Sequence, residues 1–392
     1  MKYTGTIARG IKAPLIKKGD NIIEIVNQSL LNVVENDGVV LNDGDIICIT
    51  ESVVAIAQKN FATTSQIAKS ITDKLGENKT IGILFPIMSR NRFSMLLKGI
   101  CNAAKKVVLQ LSYPADEVGN KIITEDELID ANINPYTDLF TSKDFKKIFK
   151  NTTHEYTGID YIKFYEDIIG EKGNVILSND PKHILRYTDN VIVSSTHSRK
   201  RLKKDLFKAG GKWIFSLDDI LTEPVNGSGY NPEFGLLGAN LAREDSVKLF
   251  PRDSENTAYK IQEKLKKTFG KNIEVMVYGD GAYKDPQGEI WELCDPVVSP
   301  GYTKGLEGTP NEVKLKYLVS KGSTEASVKK QIKEKATDLV GKFASQGTTP
   351  RKIVDLLGSL ADLTSGSGDK GTPFVLIQNY FNNFASEEIR FL

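Results

Sequence analysis

Apolar positions along this chain switch repeatedly between helical and strand spacing. Between residues 21 and 34, Ile22, Ile23, Ile25, Val26, Leu30, Val33 and Val34 recur at a spacing that predicts a helix with one buried face. Asn42-Asp43-Gly44-Asp45 reads as a turn, and residues 46–50 follow as a buried strand. Residues 80–86 and 106–111 predict two more strands, with a helix over 94–105 between them. The texture then changes. Residues 116–153 are polar and irregular; 174–178, 191–195 and 212–216 read as strands, and 200–209 as a helix. Regular alternation returns with an amphipathic helix over 255–269, stopped by Gly270, and a strand over 273–278. A charged helix is expected over 326–343. Thr349 as N-cap and Pro350 at the first helical position open another, with Ile353, Val354, Leu357 and Leu360 as its apolar stripe. Residues 373–378 close with a strand.

This order predicts a mixed α/β (α+β) fold: a core made of residues 1–115 and 226–392, with a small α/β lobe inserted at 116–225. No repeat of fixed period and no long linker is visible.

Composition narrows the function classes. The 392 residues are 40% hydrophobic and 26% charged with a net charge of +2, which favours neither nucleic acid nor a membrane surface as partner. Cys48, Cys101 and Cys294 are far apart, so a disulfide framework or a zinc ribbon is not expected. No apolar run approaches the roughly 18 residues of a spanning helix, and residues 1–5 lack a signal core. A soluble, cytoplasmic protein is the expectation.

Several segments carry candidate chemistry. Gly366-Ser367-Gly368-Asp369-Lys370-Gly371 matches GxGxxG, but a helix precedes it and a strand follows, the reverse of a dinucleotide-binding turn. It reads either as a flexible turn or as a loop wrapping phosphate with backbone amides, with Asp369 facing a metal. Tyr278-Gly279-Asp280-Gly281 sits just past a strand end, where α/β folds gather ligands, and Asp285, Glu289 and Glu292 follow. Such oxygen-rich groups suit magnesium or manganese; a turn-rich hairpin is the alternative. The segment 231–240, ending in Gly238-Ala239-Asn240, and the lysine-bearing segment 12–20 read as ligand contacts or as ordinary solvated loops. The basic run 197–204 reads as the wet face of a helix. His154, His183 and His197 show no metal spacing, and no GxSxG elbow supports a serine triad.

Taken in order, these pieces resemble the coenzyme F420-0:L-glutamate ligase (γ-glutamyl ligase) family in its long bacterial form. Residues 10–20 (GIKAPLIKKGD) resemble the family's opening G-x-P-L-I-x-x-G-D. Asp43-Gly44-Asp45 with the strand after it resembles its D-G-D plus strand. Gly238-Ala239-Asn240 stands at its N-A-G-I-D, residues 273–281 at its strand ending in T-D-T, and residues 363–369 at its L-M-G-E-G-x-D loop. The matches cover roughly residues 5–60 and 230–385.

The resemblance implies a GTP-dependent amide ligase that adds L-glutamate to a small-molecule carboxylate acceptor through an acyl phosphate. Mg2+ or Mn2+, and K+, are the implied ions, and a homodimer the implied assembly. Pro14, Leu15, Ile16, Thr50, Glu51, Ser365, Gly366, Ser367, Gly368 and Asp369 would contact the nucleotide; Asp280, Asn240 and Asp369 would hold metal. Three positions depart from the family pattern: Ala55, Asn240 and Gly366 stand where the family has lysine, aspartate and glutamate. A folate-type acceptor, or a non-catalytic homologue binding a nucleotide or polyanion, are the alternatives. No catalytic residue is assigned.

Overall fold

The computed structural model describes residues 4–279, 283–284, 291–292, 299–309, 314–320, 324–337, 352–366, 368–382 and 384–385. The chain opens with β1 (Ile7–Ile11), α1 (Ile22–Asp37), β2 (Ile46–Thr50) and α2 (Glu51–Ala57). Next come β3 (Phe61–Thr63), α3 (Thr64–Leu75), β4 (Thr80–Leu84), α4 (Phe93–Ala103) and β5 (Lys106–Leu111). The middle holds α5 (Glu125–Asp130), β6 (Phe140–Thr141), α6 (Ser142–Ile148), α7 (Tyr161–Ile169), β7 (Gly173–Leu177), β8 (Asn190–Val193), α8 (Arg199–Lys208) and β9 (Trp213–Ser216). Then follow β10 (Asn240–Arg243), β11 (Ser246–Lys248), α9 (Ser254–Phe269), β12 (Glu274–Tyr278), β13 (Tyr283–Lys284), β14 (Trp291–Glu292) and β15 (Gly301–Tyr302). The last elements are α10 (Leu315–Ser320), α11 (Glu325–Thr337), α12 (Ile353–Ser365) and β16 (Phe374–Gln378).

Local chemistry sets many of these boundaries. The Asn21 side chain accepts from the amides of Ile23 and Glu24, which starts α1, and Gly38 stops it in the left-handed conformation. Gly270 ends α9 in the same way, as its position in the sequence predicts. α12 begins at Ile353; Thr349 and Pro350, expected to open it, lie outside the described residues.

The chain divides into two compact units. The first comprises Met1–Gln58, Asp253–Ala282 and Val297–Leu392. Its five-stranded sheet has the order β1-β16-β2-β12-β15. Only β2 and β12 pair in parallel; the other neighbours are antiparallel. Side chains alternate across the sheet with period two. Ile47, Ile49, Val275, Val277, Phe374 and Leu376 pack with α1 and α9, through Val26, Leu30, Ala258 and Ile261. Ile46, Cys48, Met276, Tyr278, Val375 and Ile377 pack with Ile353, Leu357 and Ala361 of α12. The sheet is therefore covered on both faces, which explains why β2 and β16 are buried at every position.

The second unit comprises Lys59–Arg252 and Tyr283–Pro296. It holds a six-stranded sheet of order β6-β7-β5-β4-β8-β9, parallel except for β6. A three-stranded antiparallel sheet, β10-β11-β3, belongs to the same unit. Two pairings cross the boundary expected at 116: β4 and β5 lie before it and pair with β8 and β7. The division into compact units keeps Lys59–Arg252 together, across both expected boundaries. The compositional change at 116 marks an irregular connection after β5, not a domain edge. Among the described residues no helix is long and apolar enough to cross a membrane.

Candidate functional site

The first unit brings its candidate segments to one edge of its sheet. β1, β2 and β12 run in one direction and β16 in the other, so three carboxyl ends and one amino end share that edge. The register makes this explicit: Ile11 faces Phe374, Phe374 faces Ile49, and Tyr278 faces Thr50. The segment after β1, the β2–α2 junction, the exit of β12 and the glycine loop before β16 therefore meet there. Open α/β sheets place ligands at strand ends of this kind.

At the β2–α2 junction, the Thr50 amide donates to the Pro373 carbonyl at 3.1 Å. Gly368 passes so close that a Cβ on it would stand 3.5 Å from Thr50 Cγ2. Thr50 and Glu51 are buried, Glu51 in the first turn of α2. A carboxylate is favoured at that end of a helix. Ala55, at the position of the family lysine, is fully buried on α2.

The segment after β1 is pinned at two points. The Lys17 amide donates to the Asp20 carboxylate at 2.6 Å, and the Gly19 amide donates to the Ala57 carbonyl at 2.9 Å. Ile16 enters the core beside Val54 and Ala57. Pro14 is exposed and Leu15 is 83% exposed, so these two present apolar surface to solvent.

Among the described residues of the glycine loop, the backbone amides bond locally. Gly366 caps α12 in the left-handed conformation with φ +56°, and its amide donates to Asp362. The amides of Gly368 and Lys370 donate to the Ser365 carbonyl, that of Asp369 to Gly366, and that of Gly371 to Gly368. These backbone donors are spent inside the loop. What it offers outward is side chains: Asp369 and Lys370 are both exposed. Ser365 is fully buried and its hydroxyl meets that of Tyr278 at 2.5 Å. Ser367 lies outside the described residues.

Two of the three expected metal ligands lie within the described residues. Asp369 is on the loop in the first unit. Asn240 begins β10 in the second unit, facing Lys248. Asp280, with Asp285 and Glu289, lies outside the described residues. Near it, β13 and β14 pair antiparallel, Tyr283 with Glu292 and Lys284 with Trp291. Among the described residues no group of three or more His, Cys, Asp or Glu could hold a metal ion.

Tyr278 and Lys370 were not singled out as site residues from the sequence. Both stand inside motifs that were: one is the last residue of a strand before Gly-Asp-Gly, the other the only cation in the glycine loop.

A search of curated proteins returned no match to this chain. The model of the F420-0:gamma-glutamyl ligase family matches residues 10–379, a span that takes in all four segments at the sheet edge and both compact units. A match over nearly the whole length, on a fold that brings those segments to one edge, establishes that the chain belongs to the F420-0:gamma-glutamyl ligase family, a family of glutamate ligases.

Proposed function

We propose that this protein is a nucleotide- and metal-dependent ligase that joins L-glutamate to a small-molecule carboxylate acceptor, with GTP as the phosphoryl donor. The observation that supports this most directly is the meeting of residues 12–20, Thr50-Glu51, the exit of β12 and the glycine loop at one sheet edge. In the proposed reaction an acceptor carboxylate oxygen attacks the γ-phosphorus and the nucleoside diphosphate leaves. The glutamate amine then attacks the acyl carbon, phosphate leaves and the amine gives up a proton, completing the amide.

The residues at the edge fit a hard divalent cation. Thr50, Glu51 and Asp369 carry oxygen donors, the chemistry of Mg2+ and Mn2+ sites. Glu51, Asp369 and Asp280 would hold the ion, whose part is to offset charge on the transferred phosphoryl group. Exposed Pro14 and Leu15 offer an apolar surface for the base, and Lys370 a cation near the phosphates. A homodimer is part of this proposal, tested by light scattering at micromolar protein.

The deciding experiment is calorimetry with GTP and ATP, each with and without manganese, followed by an assay of phosphate release with glutamate and candidate acceptors. Metal-dependent binding with GTP preferred supports the reading. Affinity indifferent to metal for both nucleotides removes it. Metal-dependent binding without turnover on any acceptor would favour the homologue that has kept the fold and lost the reaction, in keeping with buried Ala55 and left-handed Gly366. Asp280→Asn should weaken metal-dependent binding at least about tenfold while leaving thermal stability near the parent value.

A further inference from the structure

The second unit contains a cavity of its own. The parallel strands of its large sheet stand in the order β7-β5-β4-β8-β9. From β4 the chain winds one way, through β5 to β7; from β8 it winds the other way, to β9. β4 and β8 are neighbours, so their carboxyl ends flank a topological switch point, where doubly wound folds place ligands. A cavity of about 40 Å³ opens there, lined by Ser89, Arg92, Ser194, Thr196, Leu217 and Leu237 among others.

One lining group asks for a ligand. Ser194 is 2% exposed, and its hydroxyl has no hydrogen-bond partner among the described residues. A buried hydroxyl left in that state is costly unless something enters to meet it. Arg92 adds a guanidinium, and none of the described lining residues is acidic. The remaining wall is largely apolar. By the measure in which one water needs about 10–15 Å³, the cavity holds about three waters, and so a group of a few heavy atoms.

A dinucleotide does not fit this arrangement. The turn after β4 is Phe85-Pro86-Ile87-Met88-Ser89, without the glycines that let a pyrophosphate approach. The anion position at the head of α8 is already taken by the protein itself. The Glu117 carboxylate accepts from the Ser195 hydroxyl at 2.7 Å and from the amides of Thr196, His197 and Ser198 at 2.5, 3.3 and 3.3 Å. The space that remains is small and largely apolar, with the Ser194 hydroxyl and the Arg92 guanidinium on its wall.

We propose that this cavity binds a short aliphatic carboxylate, its oxygens on Ser194 and Arg92 and its carbons against Leu217 and Leu237. Every residue involved belongs to the second unit, so the proposal stands apart from nucleotide binding by the first. The test uses the full chain, free of nucleotide, with ¹³C-labelled leucine methyls. Propionate, propionamide and inorganic phosphate are titrated separately. Saturable shifts of the Leu217 and Leu237 methyls are expected with propionate, with affinity at least about tenfold above that for propionamide or phosphate. Ser194→Ala, which removes one oxygen atom, should weaken propionate at least about tenfold, as should Arg92→Gln. Equal binding of propionamide or phosphate, or no saturable shift with propionate, would overturn the proposal and leave a water-filled cavity. If Arg92→Gln does not fold, Ser194→Ala decides.

Discussion

The hydroxyls of Tyr278 and Ser365 meet at 2.5 Å with both side chains fully buried, tying the end of β12 to the end of α12. Removing either oxygen takes a partner from the other in a dry setting, at about 1–3 kcal/mol. Tyr278→Phe and Ser365→Ala should each cost that much in urea unfolding, and the double variant less than the sum of the two. Strictly additive costs would show that the two groups are not coupled.

Gly368 has φ +91°, and a side chain there would meet Thr50 and Pro373 only at ordinary contact distance. Backbone strain rather than crowding is therefore the obstacle to substitution. Gly368→Ala should cost about 1–2 kcal/mol of stability. It should also weaken nucleotide binding, because Asp369 would be re-aimed. Parent-like binding at reduced stability would separate the loop from the nucleotide.

Asp369 is exposed, so Asp369→Asn should leave the unfolding curve unchanged. If its charge contributes to holding the cation, calorimetry with manganese and GTP should record a loss of about tenfold or more.

Two histidines of the second unit make its stability depend on pH. Burial lowers the pKa of His154, and burial followed by Arg186 lowers that of His183. His154 Nδ1 accepts from the Thr157 amide at 3.2 Å, a bond that protonation of that nitrogen would abolish. With folded pKa values depressed, the unfolded chain binds more protons in the window below about 6.5. This contribution to stability is complete above that pH and is lost as pH falls through the window. The melting temperature should fall on acidification, and His154→Gln should flatten the slope. An unchanged slope would show that the imidazole stays neutral in both states.

Much of the first unit could be read in the sequence. Asn21, Gly38 and Gly270 bound their helices by local hydrogen bonding and backbone freedom, and the unbroken apolar run 46–50 reports burial on both faces. The extent of the second unit could not be read. It depends on β3 meeting β11 and β5 meeting β7 across long stretches of chain, and neither polarity nor period encodes such pairing. The glycine loop was legible as a special turn, but not the fate of its amides. That fate follows from positive φ at Gly366, Gly368 and Gly371, which turns the donors inward.

β1 pairs with β16, joining Ile7 to Gln378. On the ribosome the first strand is therefore made long before its partner exists, roughly 20–75 s earlier at 5–20 residues per second. The second unit lies between them in the chain, and its strands are complete while β1 still waits. A nascent chain arrested before residue 374 should resist proteolysis within 59–252 and be cut readily near its start. Assembly of that sheet edge thus waits for β16, so products truncated before it would carry a folded second unit and an incomplete edge in the first.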